Sequence, residues 1–133
     1  MPELFSDGWA AKYKDIWNSN EGIAKELGQS NFNSIVAFGV DGEGAPRVVL
    51  TIANGEIVTA GGYEGELINW DLRASLDDWG ALVAKPPGLM KLGLAYTTRK
   101  LKFEKGDYAM MIKDPRLSSA FVKCFALMGK AVN

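Results

Sequence analysis

The chain has 133 residues, 47% of them hydrophobic and 23% charged, with a formal net charge of −1. That length suits a single domain over 1–133, burying roughly two-thirds of its unfolded surface, and near-neutral charge gives no electrostatic case for nucleic acid or an anionic membrane. There is no histidine, which removes histidine acid–base chemistry and the usual zinc, haem and triad ligand sets.

At the N-terminus, Met1-Pro2-Glu3-Leu4 lacks the basic stretch and apolar run of a signal peptide, and no apolar stretch reaches membrane-spanning length. A cytoplasmic protein is expected. Ser6 or Asp7 can cap a first helix whose apolar positions Trp9, Tyr13, Ile16 and Trp17 recur at three- and four-residue spacing. Asn20 opens a second helix through Ile23, Ala24 and Leu27, ended by Gly28. The period then switches to two. Phe32 to Val40 reads as a strand buried on much of both faces. Asp41-Gly42-Glu43-Gly44 turns the chain into Arg47 to Ala53, with Val48, Leu50 and Ile52 on one side. Asn54-Gly55 is a strong two-residue hairpin signal before Ile57 to Ala60. Residues 32–62 are therefore expected to form an antiparallel meander.

A fourth strand runs from Leu67 to Ala74, and Ser75 with Asp78 three residues on opens a helix carrying Trp79, Leu82 and Val83. Pro86-Pro87-Gly88 stops it, and Leu89 to Thr97 forms the next helix. Leu101 and Phe103 alternate with Lys102 and Glu104 in a fifth strand. Gly106-Asp107 caps a helix through Met111, which Asp114-Pro115 breaks, and a last helix runs from about Pro115 to Met128. The whole is an α+β domain.

Four of the five methionines fall between Pro86 and Met128, in a stretch greasier than one amphipathic face requires. A helix apolar nearly all round must be buried on two sides, and flexible, polarizable methionines suit an irregular or variable apolar partner. In so small a chain, that second side points to an apolar cavity.

Catalytic constellations are absent. Asp77-Asp78 suit a helix start, where carboxylates complement exposed N–H groups. Asp71 and Arg73, two apart on one strand face, are read as a surface pair. Gly39, Gly42 and Gly44 fit neither dinucleotide nor P-loop spacing. The sole cysteine, Cys124, excludes an internal disulfide and reads as a small buried hydrophobe. Arg99-Lys100 with Lys102 is a solvated cluster rather than a nucleic-acid site. Core packing is the reading for Trp9, Trp17, Trp70 and Trp79.

Several segments together are familiar. The strand Ile68 to Ala74 leads into Ser75-Leu76-Asp77-Asp78-Trp79. After Ala95-Tyr96-Thr97-Thr98 comes Leu101-Lys102-Phe103-Glu104-Lys105-Gly106-Asp107, and then an Ala/Met helix. This run resembles the sterol carrier protein type 2 domain family, specifically over 68–113 and more loosely in the meander. The resemblance implies a five-stranded, mainly antiparallel sheet covered by helices, with a hydrophobic tunnel between them. It implies binding of sterols, fatty acids, acyl-CoA or related lipids, for transfer between membranes or presentation to enzymes, with no catalytic residue and no cofactor. Two departures stand out. Arg99 occupies a position where the family usually has glycine; if positive φ is required there, arginine is strained and the turn is expected to differ. The Asp114-Pro115 break and long final helix are expected to reshape one end of the tunnel. The ending Ala131-Val132-Asn133 is not the peroxisomal Ser-Lys-Leu address.

The resulting expectation is a non-catalytic lipid carrier, or an accessory subunit presenting a lipid or quinone-like substrate to an enzyme. Its expected lining is Trp70, Leu89, Met90, Leu92, Met110, Met111, Phe121, Phe125 and Met128, with Lys91, Arg99 or Lys100 meeting a carboxylate or phosphate at the mouth. A monomer or weak homodimer with transient membrane or enzyme contact fits this reading.

Overall fold

The computed structural model describes residues 4–29 and 32–132. The readings of Met1-Pro2-Glu3 and of Asn133 lie outside the described residues. Two helices, α1 (Asp7–Ser19) and α2 (Glu21–Gln29), precede the meander β1 (Ser34–Val40), β2 (Val48–Ala53) and β3 (Glu56–Gly61). Then follow β4 (Trp70–Ala74), α3 (Leu76–Ala84), α4 (Leu89–Thr97), β5 (Lys102–Lys105), α5 (Tyr108–Lys113) and α6 (Pro115–Val132). The strands form one five-stranded sheet in the order β3-β2-β1-β4-β5, parallel only between β1 and β4. The α+β fold and mainly antiparallel sheet are as expected.

Local chemistry sets most boundaries. Ser6 accepts a hydrogen bond from the Trp9 amide, Ser75 from Asp78, and Asp107 from Met110, so each expected N-cap is made. Asn20 ends α1 and accepts from the Ile23 amide of α2. Asn54 and Gly55 both take positive φ, 50° and 84°, as a two-residue hairpin with right-handed twist requires. Gly28 does not end α2; it lies inside it, where the Asn54 carbonyl of the hairpin approaches. A methyl group on Gly55 would fall 2.3 Å from the Gly28 nitrogen, so glycine is needed there for space as well as φ. The fourth strand is shorter than expected: Ile68 is buried, but Leu67 is exposed and pairing begins at Trp70.

The helices cover one sheet face. Val36, Phe38, Val48, Leu50, Ile52 and Leu72 point to that side, where they meet Trp9, Tyr13, Trp79, Phe125 and Met128 in the main core. Three buried indoles each donate to a backbone carbonyl: Trp9 to Met128, Trp17 to Gly55 and Trp79 to Gly39. These bonds tie α1 to α6 and to the hairpin, and α3 to β1. The opposite face carries a small cluster of Ala37, Val49 and Ile68. Asp71 and Arg73 lie on that face and are not a surface pair. The loop between β1 and β2 covers them: Arg73 donates to Asp71 at 2.7 and 3.0 Å and to the Glu43 carbonyl at 2.7 Å, and both residues are buried.

Candidate functional site

The main core is not solid. Between the helix-covered sheet face and α6 lies a cavity of about 70 Å³ with almost wholly apolar walls. Its floor is Val36 and Phe38 of β1, Ile52 of β2 and Trp70 and Leu72 of β4. Val36 and Trp70 are register partners, which puts the cavity at the end of the sheet where these two parallel strands begin. Met111 of α5 and Leu117, Ala120, Phe121 and Cys124 of α6 form the roof, and Trp17 and Leu27 close one side. Phe32, Val36, Trp70, Phe103 and Leu117 are the half-buried members of this wall and mark where it comes nearest solvent.

At that rim Trp70 is held from two directions. Its ring stands edge-on to Phe103 at 6.2 Å, and Gly106, with φ 100°, lies so close that a methyl group there would collide with the indole. Phe103 continues into a second aromatic group. It stands edge-on to Tyr96 and Tyr108, each at 5.6 Å, and those two rings stack at 4.1 Å to join α4 to α5. Beyond Phe103 lies a shallow groove bordered by Arg99 and Lys102.

Cys124 in the roof and Tyr13 of α1 behind it are held neutral. Burial pushes the Cys124 thiol well above its ordinary value, and the thiol donates to the Phe121 carbonyl. Burial likewise raises Tyr13, whose hydroxyl donates to the Cys124 carbonyl at 3.0 Å. Among the described residues, no cluster of three cysteines and carboxylates could hold a metal ion.

Of the nine residues expected to line the site, Trp70, Met111 and Phe121 border the cavity. Leu92, Phe125 and Met128 are fully buried in neighbouring solid core, where Phe125 stacks on Trp79 at 6.0 Å. Leu89, Met90 and Met110 are on the outer surface. Of the cations expected at a mouth, Arg99 borders the groove, whereas Lys91 and Lys100 line neither space. Trp17, Leu27, Phe32, Ile52, Phe103, Leu117 and Ala120 help complete the wall and lie outside the expected set. They are scattered along the chain, and nothing in their local spacing distinguishes a residue facing a void from one facing a neighbour.

Arg99 keeps the backbone that glycine would take. It has φ 63° just past α4, its amide donates to the Tyr96 carbonyl, and the Lys100 amide donates to Ala95. These two bonds make a Schellman cap with arginine in the left-handed position. The arginine therefore carries the steric strain of a left-handed backbone.

The sequence matches no family model and no curated protein. The structure has neighbours over almost its full length. The crystal structure of sterol carrier protein 2 superposes with a TM-score of 0.74 at 23% identity, covering 96% of this chain and 98% of that one. A conserved hypothetical protein from Thermus thermophilus, described as possibly a sterol carrier protein, gives 0.69 at 22% identity, covering 97% and 90%. A ubiquinone synthesis protein, UbiJ-SCP2, gives 0.60 at 13% identity, covering 99% and 96%. This chain therefore has the fold of sterol carrier protein 2.

Proposed function

We propose that this chain binds a lipid-like ligand, an acyl chain or a flat apolar ring system, in the space between the sheet and α5–α6, and does no chemistry on it. The observation that carries this reading is an apolar cavity left open inside a core otherwise filled with aromatic side chains. An apolar cavity of this size costs about 1.7 kcal/mol in unmade contacts at ~24 cal/mol per Å³. Ligand atoms placed there recover those contacts, and each buried methylene adds about 0.8 kcal/mol.

Ligand pockets commonly span about 300–1,000 Å³, so a full-length ligand must widen this cavity. The element suited to yield is α5. It is six residues long, is bounded by Asp107 and Asp114, and supports the roof through Met111. The neutral Cys124 and Tyr13 offer no ready nucleophile or base, in keeping with a binding role. Titration with the fluorescent fatty acid cis-parinaric acid tests the site. Saturable binding is expected for the unmodified protein and loss of it for Ala120→Leu, which fills the roof. Equal binding by both would place the ligand elsewhere.

A second reading is favoured by the ubiquinone synthesis protein among the structural neighbours. On that reading the ligand is quinone-like and is presented to a partner enzyme. Co-purification of an enzyme with the tagged chain, together with a bound isoprenoid quinone, would distinguish this role from free transport.

A further inference from the structure

The helix α4 breaks the rule for surface helices. Only Leu92 and Ala95 among its residues are buried, yet Lys91 is its single charged residue. A helix of this composition should be covered on more than one side. Met90 and Leu94, one turn apart and on the side opposite Leu92 and Ala95, are 91% and 62% exposed. Leu89 and Tyr96 are exposed on an adjoining flank of the helix, and the Tyr96–Tyr108 stack brings in α5, whose Met110 is 67% exposed. Large exposed hydrophobic residues are thus concentrated on two adjoining helices, and scattered single residues need no such explanation.

Charge selects the occupant. From Trp79 to Phe103 the chain carries five cations, Lys85, Lys91, Arg99, Lys100 and Lys102, and no carboxylate; around α5, Lys105, Lys113 and Arg116 match Glu104, Asp107 and Asp114, so the excess stays positive although the whole chain has net charge −1. Lys102 is paired with Asp41 at 2.8 Å; Lys91 on α4, and Arg99 and Lys100 just past its end, are exposed. Total charge hid this asymmetry. A second copy of the chain is a poor partner, because two-fold pairing would set one unbalanced cationic surface against another. A bilayer containing anionic lipid satisfies both features: methionine and leucine enter the acyl boundary while the lysines and arginine meet headgroups.

We propose that the exposed face of α4 and α5, centred on Met90, Leu94 and Met110 and accompanied by the exposed Lys91, Arg99 and Lys100, docks on anionic lipid bilayers. Met110 and Met111 are consecutive on α5. The first would face the membrane while the second lines the cavity. Docking would therefore bring the element suited to open the cavity against the bilayer. The docking claim itself does not depend on the cavity holding a ligand.

Flotation of the full chain with phosphatidylcholine vesicles, with and without phosphatidylglycerol, tests the proposal. The protein should float with the mixed vesicles and be released by high salt, and pure phosphatidylcholine should retain far less. Lys91→Gln with Lys100→Gln should weaken binding about 25-fold, at roughly fivefold per cation. Met90→Glu with Leu94→Glu should abolish it. Leu67→Glu, at an exposed apolar residue outside α4 and α5, should float normally. All these positions are exposed, so circular dichroism should report unchanged folding. No flotation, or equal flotation by every variant, overturns the proposal. So does a concentration-dependent doubling of mass that Met90→Glu abolishes without vesicle binding, which would assign the face to a second copy. The cavity-filled Ala120→Leu protein should still float, separating failure of docking from failure of ligand binding.

Discussion

Phe121 and Phe125 stand one turn apart on α6 with ring centroids 5.2 Å apart, yet only Phe121 borders the cavity. Phe125 is fully buried against Trp79 instead. The two residues should respond differently to truncation. Phe125→Ala should cost about 3–5 kcal/mol of stability and leave ligand affinity per folded molecule nearly unchanged. Phe121→Ala should cost less, because its ring already lacks packing contacts on the cavity side, and should change affinity or the preferred ligand size. Urea unfolding combined with cis-parinaric acid titration checks both. Equal effects on affinity would mean that Phe125 also meets ligand.

The Asp71–Arg73 pair is buried with the Glu43 carbonyl as a third partner, so it should behave as a unit. Arg73→Ala leaves a buried carboxylate unpaired and should cost about 3–5 kcal/mol, whereas replacing both residues by apolar ones of similar volume should be close to neutral. A double-mutant cycle by chemical denaturation measures the difference. Additive losses would show that the pair is not coupled.

Arg99 holds a left-handed backbone at the end of α4. Relieving the side-chain clash there favours glycine by about 1–2 kcal/mol, offset by about 0.5–1 kcal/mol of extra chain entropy. Arg99→Gly should therefore raise the melting temperature slightly while weakening association with anionic vesicles. A stability loss would show that the arginine side chain contributes more to the fold than its backbone costs.

Much of this architecture is legible in the residues. Ser6, Ser75 and Asp107 announce helix starts, Asn54-Gly55 a hairpin, and Pro86-Pro87 and Asp114-Pro115 two breaks, each through a local preference that tertiary contacts did not need to override. The cavity wall is less legible. Trp70, Met111 and Phe121 belong to the expected lining and border the cavity, but Trp17, Ile52 and Phe103 meet them only through sheet register and helix packing. Leu89 and Met90 lie outside this wall. With hardly any polar residue on α4, periodicity could not say which side faces inward, and the inward side proved to be Leu92 and Ala95. Asp71 and Arg73 were misplaced on the surface because the loop that covers them is distant in sequence.

Cys124 makes stability depend on alkaline pH. Its folded-state pKa is raised by burial, so the unfolded chain loses the thiol proton first as pH rises. Stability is therefore full below the ordinary thiol value of about 8.5 and should fall above it by about 1.4 kcal/mol per pH unit from this one group. Cys124→Ala should remove that dependence up to about pH 10, where Tyr13, raised in the same sense, begins to contribute. Denaturant midpoints measured from pH 7 to 10 check the slope; a flat profile for the unmodified protein would mean that the thiol is not buried in solution.

An apolar ligand is expected in the space between the sheet and α6. Native mass spectrometry of the purified chain, followed by solvent extraction of whatever it releases, tests that most directly. The expected result is a lipid-sized mass excess that organic solvent removes and that Ala120→Leu lacks. A bare polypeptide mass, together with no saturable uptake of cis-parinaric acid or a fluorescent sterol, would contradict it.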